Sequence, residues 1–206
     1  MYYLRVKAKE YGLKQKFSTT ECKFMALVKQ QCDDISKKKC SFEDCALNEN
    51  IKSVIIGTSV EYGRPWAECE YVYMPLDFGH HWVLLVLDIG HKQIQVYDSR
   101  NRTGEVSIKW GQYMQCMEVH LAKLMDFFGV YNDRVEGPIG DGKLEVNFVL
   151  RCPRQKDGYS SGIFILKMAE NLMMGRDVLE VKASDVVLYR KKFTIELLHY
   201  YGVDLK

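Results

Sequence analysis

Gln155-Lys156-Asp157-Gly158-Tyr159-Ser160-Ser161-Gly162 is the stretch on which the reading of this sequence turns. It joins two patterns. Before it, Leu144 to Arg151 has the composition of a strand; after it, Ser161 to Met174 reads as a helix, with Ile163, Phe164, Leu166 and Met168 apolar. The methionines of that helix read as core filler. A polar loop that feeds a buried helix puts the helix's first residue at the positive end of the helix dipole. A cysteine there has its thiol pKa lowered, and more so beside a protonated histidine. Backbone N–H groups at the same helix end, with a glutamine side chain as a further donor, are suited to hold an oxyanion. The residue at that position is Ser161, a hydroxyl in a setting suited to a thiolate.

Upstream, the centre of the chain reads as sheet. Cys69 to Leu76 is one strand and His81 to Asp88 a second, whose near-continuous apolar character predicts burial on both faces. Gln93 to Tyr97 is a third, joined to the second by a tight turn at Ile89-Gly90-His91-Lys92. His81 opens one arm of this hairpin and Asp98 closes the other, so the two are expected roughly opposite each other, where paired Cβ atoms lie about 5 Å apart. An aspartate so placed can hold an imidazole tautomer and stabilise its charged form. Asp88 is a competing carboxylate, but it sits near the far end of the hairpin.

The remaining segments frame this sheet. Trp110 to Phe128 carries Tyr113, Met117, Leu121, Leu124 and Phe128 near helical spacing, with Gly129 to end it. Gly137 to Gly142 reads as a loop and Ser184 to Tyr200 as a final helix. Residues 1–65 are mixed; Thr19-Thr20-Glu21 is read as the cap of a helix through Phe24, Leu27 and Val28, and Lys37-Lys38-Lys39 as a solvated surface.

Bulk properties bound the function. At 206 residues the chain is expected to form one domain, and its 47% hydrophobic content supplies a sizeable core. The near balance of 29 basic and 27 acidic residues argues against a nucleic-acid binder. Seven cysteines, an odd count without a CxxC pair, and no readable signal peptide predict reduced thiols and a cytoplasmic or nuclear setting. Cys32, Cys40 and Cys45 lack the fourth ligand and the tight spacing of a zinc site. The alternation around Cys69 and Cys152 predicts buried structural thiols rather than replacement nucleophiles. No apolar run approaches the ~20 residues of a membrane span.

Taken together, the motifs resemble the ubiquitin-like-specific (SUMO) cysteine proteases. That family carries a His-Trp pair opening a strand, an aspartate in a Tyr/Val-Asp-Ser context ending the next, and a glutamine six residues before a Cys-Gly pair that opens a buried helix. This sequence has His81-Trp82, then Val96-Tyr97-Asp98-Ser99, then Gln155 and, six residues on, Ser161-Gly162. The match spans roughly residues 66–175, and its wording is most similar to plant and transposon-associated members. Trp82 directly after His81 selects His81 over His80.

The resemblance implies an α+β, papain-like fold, with a central, mostly antiparallel sheet packed on helices. It implies one protease catalytic domain over 1–206, with 1–65 as a helical, variable part and 66–206 as the core. His81 is then the base, Asp98 its orienting partner, Gln155 an oxyanion donor and Ser161 the nucleophile position; Trp82, Ser160 and Gly162 border the substrate. Some members clamp a Gly-Gly tail between two tryptophans, for which Trp66 is the candidate second. The implied partner is a ubiquitin-like protein (SUMO, NEDD8 or ubiquitin) or its conjugates, bound by a monomer with no metal, organic cofactor, nucleic acid or membrane. Serine at position 161 points to an inactivated Cys-to-Ser form, or alternatively to a pseudoprotease acting as a protein-binding module; a working serine hydrolase ranks below both. A further class, acetyl transfer from acetyl-coenzyme A with inositol phosphate activation, finds no basic pocket readable in the sequence.

Overall fold

A computed structural model of the chain describes residues 1–13, 15–59, 63–100 and 108–200. Five strands form one sheet in chain order: β1 (Phe17–Thr19), β2 (Tyr71–Asp77), β3 (Trp82–Asp88), β4 (Gln93–Tyr97) and β5 (Glu145–Phe148). The central pairs β2–β3 and β3–β4 are antiparallel, while β1 on β2 and β5 on β4 are parallel. The expected antiparallel sheet is therefore its centre. The parallel edges follow from connectivity, because a parallel neighbour needs a long crossover. The β1–β2 crossover carries α2 (Phe24–Ser36), α3 (Phe42–Ala46) and α4 (Glu49–Ile55); the β4–β5 crossover carries α5 (Ile108–Gln115) and α6 (Leu121–Phe127).

Helices cover both faces of the sheet. Val83, Leu85 and Leu87 of β3 enter one core with Met25 and Val28 of α2, Ile51 of α4 and Leu121 of α6. Leu84 and Val86 enter a second core with Phe164 and Met168 of α7 (Ser161–Met173), Leu4 of α1 (Tyr2–Glu10) and Phe193 of α8 (Val186–Tyr200). Alternate side chains of one strand thus serve opposite cores, which is why the β3 sequence is apolar without interruption. The β3–β4 turn closes on Asp88, whose Oδ1 accepts from the His91 backbone N–H at 3.0 Å and whose Oδ2 lies 2.9 Å from His91 Nδ1. Asp88 is the last residue of β3 and anchors the turn, at the far end of the strand from His81 as expected.

Several sequence expectations are corrected. The helix expected over 110–128 is present as one unbroken run, Ile108 to Phe127, but it is not α throughout: a π turn at Cys116–His120 lies between α5 and α6. Hydrophobic spacing over a single turn does not distinguish the two hydrogen-bond patterns. Thr19-Thr20-Glu21 does not cap α2. Thr19 ends β1, and the Thr20 N–H donates to the Tyr73 carbonyl at 3.1 Å, extending the sheet. The final helix begins at Val186, after a short 3-10 turn over Ala183–Asp185. The cysteines are not all thiols: Cys40 and Cys45 are joined as a disulfide. Ser41, whose Oγ accepts from the Asp44 N–H at 3.1 Å, starts the short α3 and curls the chain so that these two residues meet. Among the described residues there is no group of three or more metal-type ligands and no helix long and apolar enough to cross a membrane.

Candidate active site

The β2–β3 connection, the exit of β4 and the start of α7 converge at one end of the sheet. His81 precedes β3 directly, and its carbonyl accepts from the Phe78 N–H at 2.8 Å, so the tight turn before β3 fixes its backbone. Asp98 follows β4 directly. The register refines the expectation that these two residues lie roughly opposite each other. Leu84 pairs with Tyr97, so continuing the ladder sets Asp98 across from Val83, two residues beyond His81 on the same face. Diagonal neighbours start about 7–8 Å apart, a gap that two long polar side chains bridge. His81 Nε2 lies 2.6 Å from Asp98 Oδ1, with both side chains about nine-tenths buried.

This contact assigns the tautomer. An ionised carboxylate only accepts, so His81 Nε2 carries the proton and Nδ1 keeps the lone pair. Nδ1 is buried and has no hydrogen-bond partner among the described residues. Asp98 Oδ1 also accepts from the Arg100 N–H at 2.8 Å, which holds the carboxylate against rotation.

Ser161 is the first residue of α7 and is buried. Its Oγ accepts from the Trp82 N–H at 3.1 Å, so the hydroxyl sits beside the residue next to His81. Ser160, the N-cap, does not cap the helix with its side chain. Its Oγ donates to Asp157 Oδ2 at 2.7 Å and accepts from Arg190 Nη2 at 3.2 Å. Asp157 Oδ1 further accepts from the N–H groups of Tyr159 and Ser160. These bonds, the Ser160 hydroxyl foremost, hold the Asp157 carboxyl below its ordinary range. The helix end therefore presents its dipole to the site without an intervening side-chain cap.

Gln155 is buried in the loop before α7. Its Oε1 accepts from Ser99 Oγ at 2.6 Å and its Nε2 donates to the Asp157 carbonyl at 2.7 Å. Trp82 is half-buried and lies over Gly162: a Cβ added there would stand 3.5 Å from Trp82 Cδ1. Trp82 and Gly162 line a groove of about 410 Å³ with Cys22, Pro75, Ile163 and Leu166.

Every residue expected at the site thus lies at this end of the sheet or beside it, with one exception. Trp66 is wholly buried, packed on Phe24 at 5.5 Å between ring centroids, in the core on the other face from α7. A tryptophan followed by strand sequence satisfies core packing as readily as a channel wall. Cys69 and Cys152 are buried, and burial pushes both thiols up to about 12, which suits structural roles. A separate groove lies away from the site. Arg5, Lys9 and Arg64, with Glu68 among them, line a groove of about 440 Å³ between α1 and β1. None of the site residues borders it. Sequence reasoning missed the supporting shell of Ser99, Asp157 and Arg190. Asp157, three residues before Ser160, carried the one readable signal, an Asx-type turn feeding a helix.

The family model described as the Ulp1 protease family, C-terminal catalytic domain, matches residues 6–202. Among curated proteins, the chain is similar to two from Arabidopsis thaliana. It is 25% identical to Ubiquitin-like-specific protease ESD4 over 118 residues, covering 57% of this chain and 22% of that protein. It is 21% identical to Ubiquitin-like-specific protease 1A over 168 residues, covering 75% of this chain and 31% of that protein. The chain thus spans less than a third of either relative. Among solved structures, the fold matches SUMO protease Ulp1 with its catalytic cysteine oxidised to a sulfenic acid, at TM-score 0.60 and 15% identity, over 98% of this chain and 77% of that one. It also matches the Ulp1 protease domain in complex with Smt3, the yeast ortholog of SUMO, at TM-score 0.58 and 16% identity, over 99% of this chain and 74% of that one. The chain belongs to the Ulp1 protease family, and its fold is the α+β, papain-like fold expected of it.

Proposed function

We propose that this Ulp1-family domain is built to cleave after the Gly-Gly terminus of a ubiquitin-like protein, and that Ser161 silences it where a cysteine would act. The observation that carries the reading is the His81–Asp98 pair, with a protonated Nε2 held at 2.6 Å and an Nδ1 left without a partner, while Ser161 Oγ accepts from the N–H of the adjoining Trp82. A base with an unspent lone pair, next to the positive end of a helix, is an arrangement for deprotonating a thiol. The same setting leaves an alcohol protonated, because a hydroxyl is far less acidic.

With cysteine at 161, the thiolate would attack the carbonyl carbon of the terminal glycine, forming a C–S bond and moving the carbonyl electrons onto oxygen. The spare Gln155 N–H and the first amides of α7 would hold that oxyanion. Its collapse would break the C–N bond, with His81 giving its proton to the leaving amine. Water, deprotonated by His81, would then cleave the thioester. The groove walled by Trp82 and Gly162 supports a glycine tail, since a residue without Cβ lets its backbone pass close to the indole. The matched domain's complex with Smt3 supports a ubiquitin-like partner.

The test compares this chain with Ser161→Cys on C-terminal fluorogenic reporters of SUMO, NEDD8 and ubiquitin. Turnover confined to the cysteine form is the expected result. No turnover in either form, together with retained binding of a ubiquitin-like protein, would support a pseudoprotease that recognises without cutting.

A further inference from the structure

Residues 98–100, leaving β4, and residues 154–158, approaching α7, are bound to each other at four points. Arg154 Nη1 donates to the Asp98 carbonyl at 3.0 Å. The Gln155 N–H donates to the Ser99 carbonyl at 3.2 Å. Ser99 Oγ donates to Gln155 Oε1 at 2.6 Å, and Arg100 Nη2 donates to the Gly158 carbonyl. Ser99 grips Gln155 twice, by backbone and by side chain, and is itself 2% exposed.

The side-chain bonds settle which way the Gln155 amide points. A backbone carbonyl only accepts, so the atom facing the Asp157 carbonyl is the NH2 group. The other atom is then the amide oxygen, and the Ser99 hydroxyl, free to rotate, donates to it. Two bonds at opposite ends of a planar amide fix its plane. They use one N–H and leave the second unspent. Without the Ser99 hydroxyl the amide keeps a single anchor and can turn about its last torsion.

We infer that Ser99 is a positioning residue for the reaction, whose hydroxyl orients the Gln155 amide so that its second N–H is aimed in advance at the developing oxyanion. One turn of chain then serves both halves of the chemistry: Asp98 sets the base and Ser99 sets the oxyanion donor. This rests on the function proposed above, in which Gln155 is that donor. Preorganised donors matter because they need no reorientation when charge appears.

The kinetic test uses the Ser161→Cys form. Ser99→Ala is expected to lower kcat about tenfold with KM unchanged, a fraction of the ~10²-fold or greater loss for deleting an oxyanion donor. In a Gln155→Ala background the same substitution is expected to cost nothing further, because the hydroxyl acts only through that amide. Ser99→Cys, close in shape and a weaker donor, should fall between. An equal loss with and without Gln155, or a rise in KM alone, would overturn the inference. A second measurement stands apart from catalysis. In the ¹⁵N-labelled Ser161 protein, the Gln155 side-chain NH2 should show resolved resonances protected from exchange. Ser99→Ala should move them toward those of a free glutamine while the backbone spectrum holds. Unmoved resonances would sink the positioning role even if Ser161→Cys proved inactive, an outcome that would count separately against the protease reading.

Discussion

α7 carries two buried polar clusters, one at each end, and they are opposites. At its start, Ser161 joins His81, Asp98 and Gln155. Two and a half turns on, Glu170 is completely buried and accepts from Lys7 and Lys167, with Lys192 at 3.4 Å. Lys7 also reaches Glu196 at 2.8 Å. Burial alone would raise the Glu170 carboxyl, but Lys167 and Lys7 outweigh it and hold the group down at about 2. At the centre of this second cluster both Glu170 oxygens are taken by cations, and a spare valence remains only toward its edge, at Glu196 Oε2. In the first, a ring nitrogen and an amide N–H are left over. Burial and charge are common to both; what separates them is that the central groups of the first, His81 and Gln155, keep valence unspent while the central Glu170 of the second does not.

Chemistry should therefore respond to changes in the first cluster and stability to changes in the second. The largest effect is expected at position 161. Ser161→Cys should raise reporter cleavage by about 10⁴-fold or more, since on the proposed function the nucleophile is the one weak part. Within that form, Asp98→Asn should cost about 10³-fold in kcat by releasing the His81 tautomer, with the urea midpoint little changed. Steady-state rates and denaturation curves on the same samples check both.

Glu170→Gln should do the reverse. It leaves the buried Lys167 without a counter-charge and Lys7 with Glu196 alone, and a loss of about 3 kcal/mol in unfolding free energy is expected. The rate per folded molecule should stay within about twofold, because no Glu170 contact reaches the base or the oxyanion donor. The pH dependence follows from the depressed carboxyl. The folded group sits at about 2 against an ordinary 4.5, so its contribution is present above the ordinary value and is lost as pH falls from there toward about 2. Thermal melts across that window should show a slope that Glu170→Gln lacks. The smallest effect belongs to Lys192. Its side chain is 44% exposed, and Lys192→Ala should change stability by less than about 1 kcal/mol. A comparable loss for Lys192 and Glu170 would erase the distinction between the buried strut and its exposed fringe.

The same contrast explains what the sequence made legible. β3 and β4 were readable because their apolar pattern is dictated by two cores, His81, Asp98 and Ser161 by their places at element ends, and Gln155 by its spacing from Ser161. β1 was not. Three residues, Phe17–Thr19, are too few to establish a period, and their partner Tyr71 lies more than fifty positions on. α1 escaped notice because Lys7, a residue type that belongs on a surface, fills a buried position by virtue of Glu170 and Glu196. Ser99 and Asp157 escaped because a hydroxyl and a loop carboxylate acquire meaning only from the amide they hold.

α1 has one more consequence, and it concerns time. It is nine residues long, has no side-chain N-cap, and is shorter than the ~12–15 residues an isolated helix needs to persist in water. Its Lys7 meets Glu170 across 163 positions and Glu196 across 189. At a synthesis rate of about 5–20 residues per second, the first of those partners leaves the ribosome on the order of ten seconds after Lys7. Until then Lys7 has neither of its two carboxylate partners and no groove to lie in. Helix α1 is therefore among the last pieces to settle, and its docking, by closing on α7, marks when the newborn chain completes the frame that holds position 161.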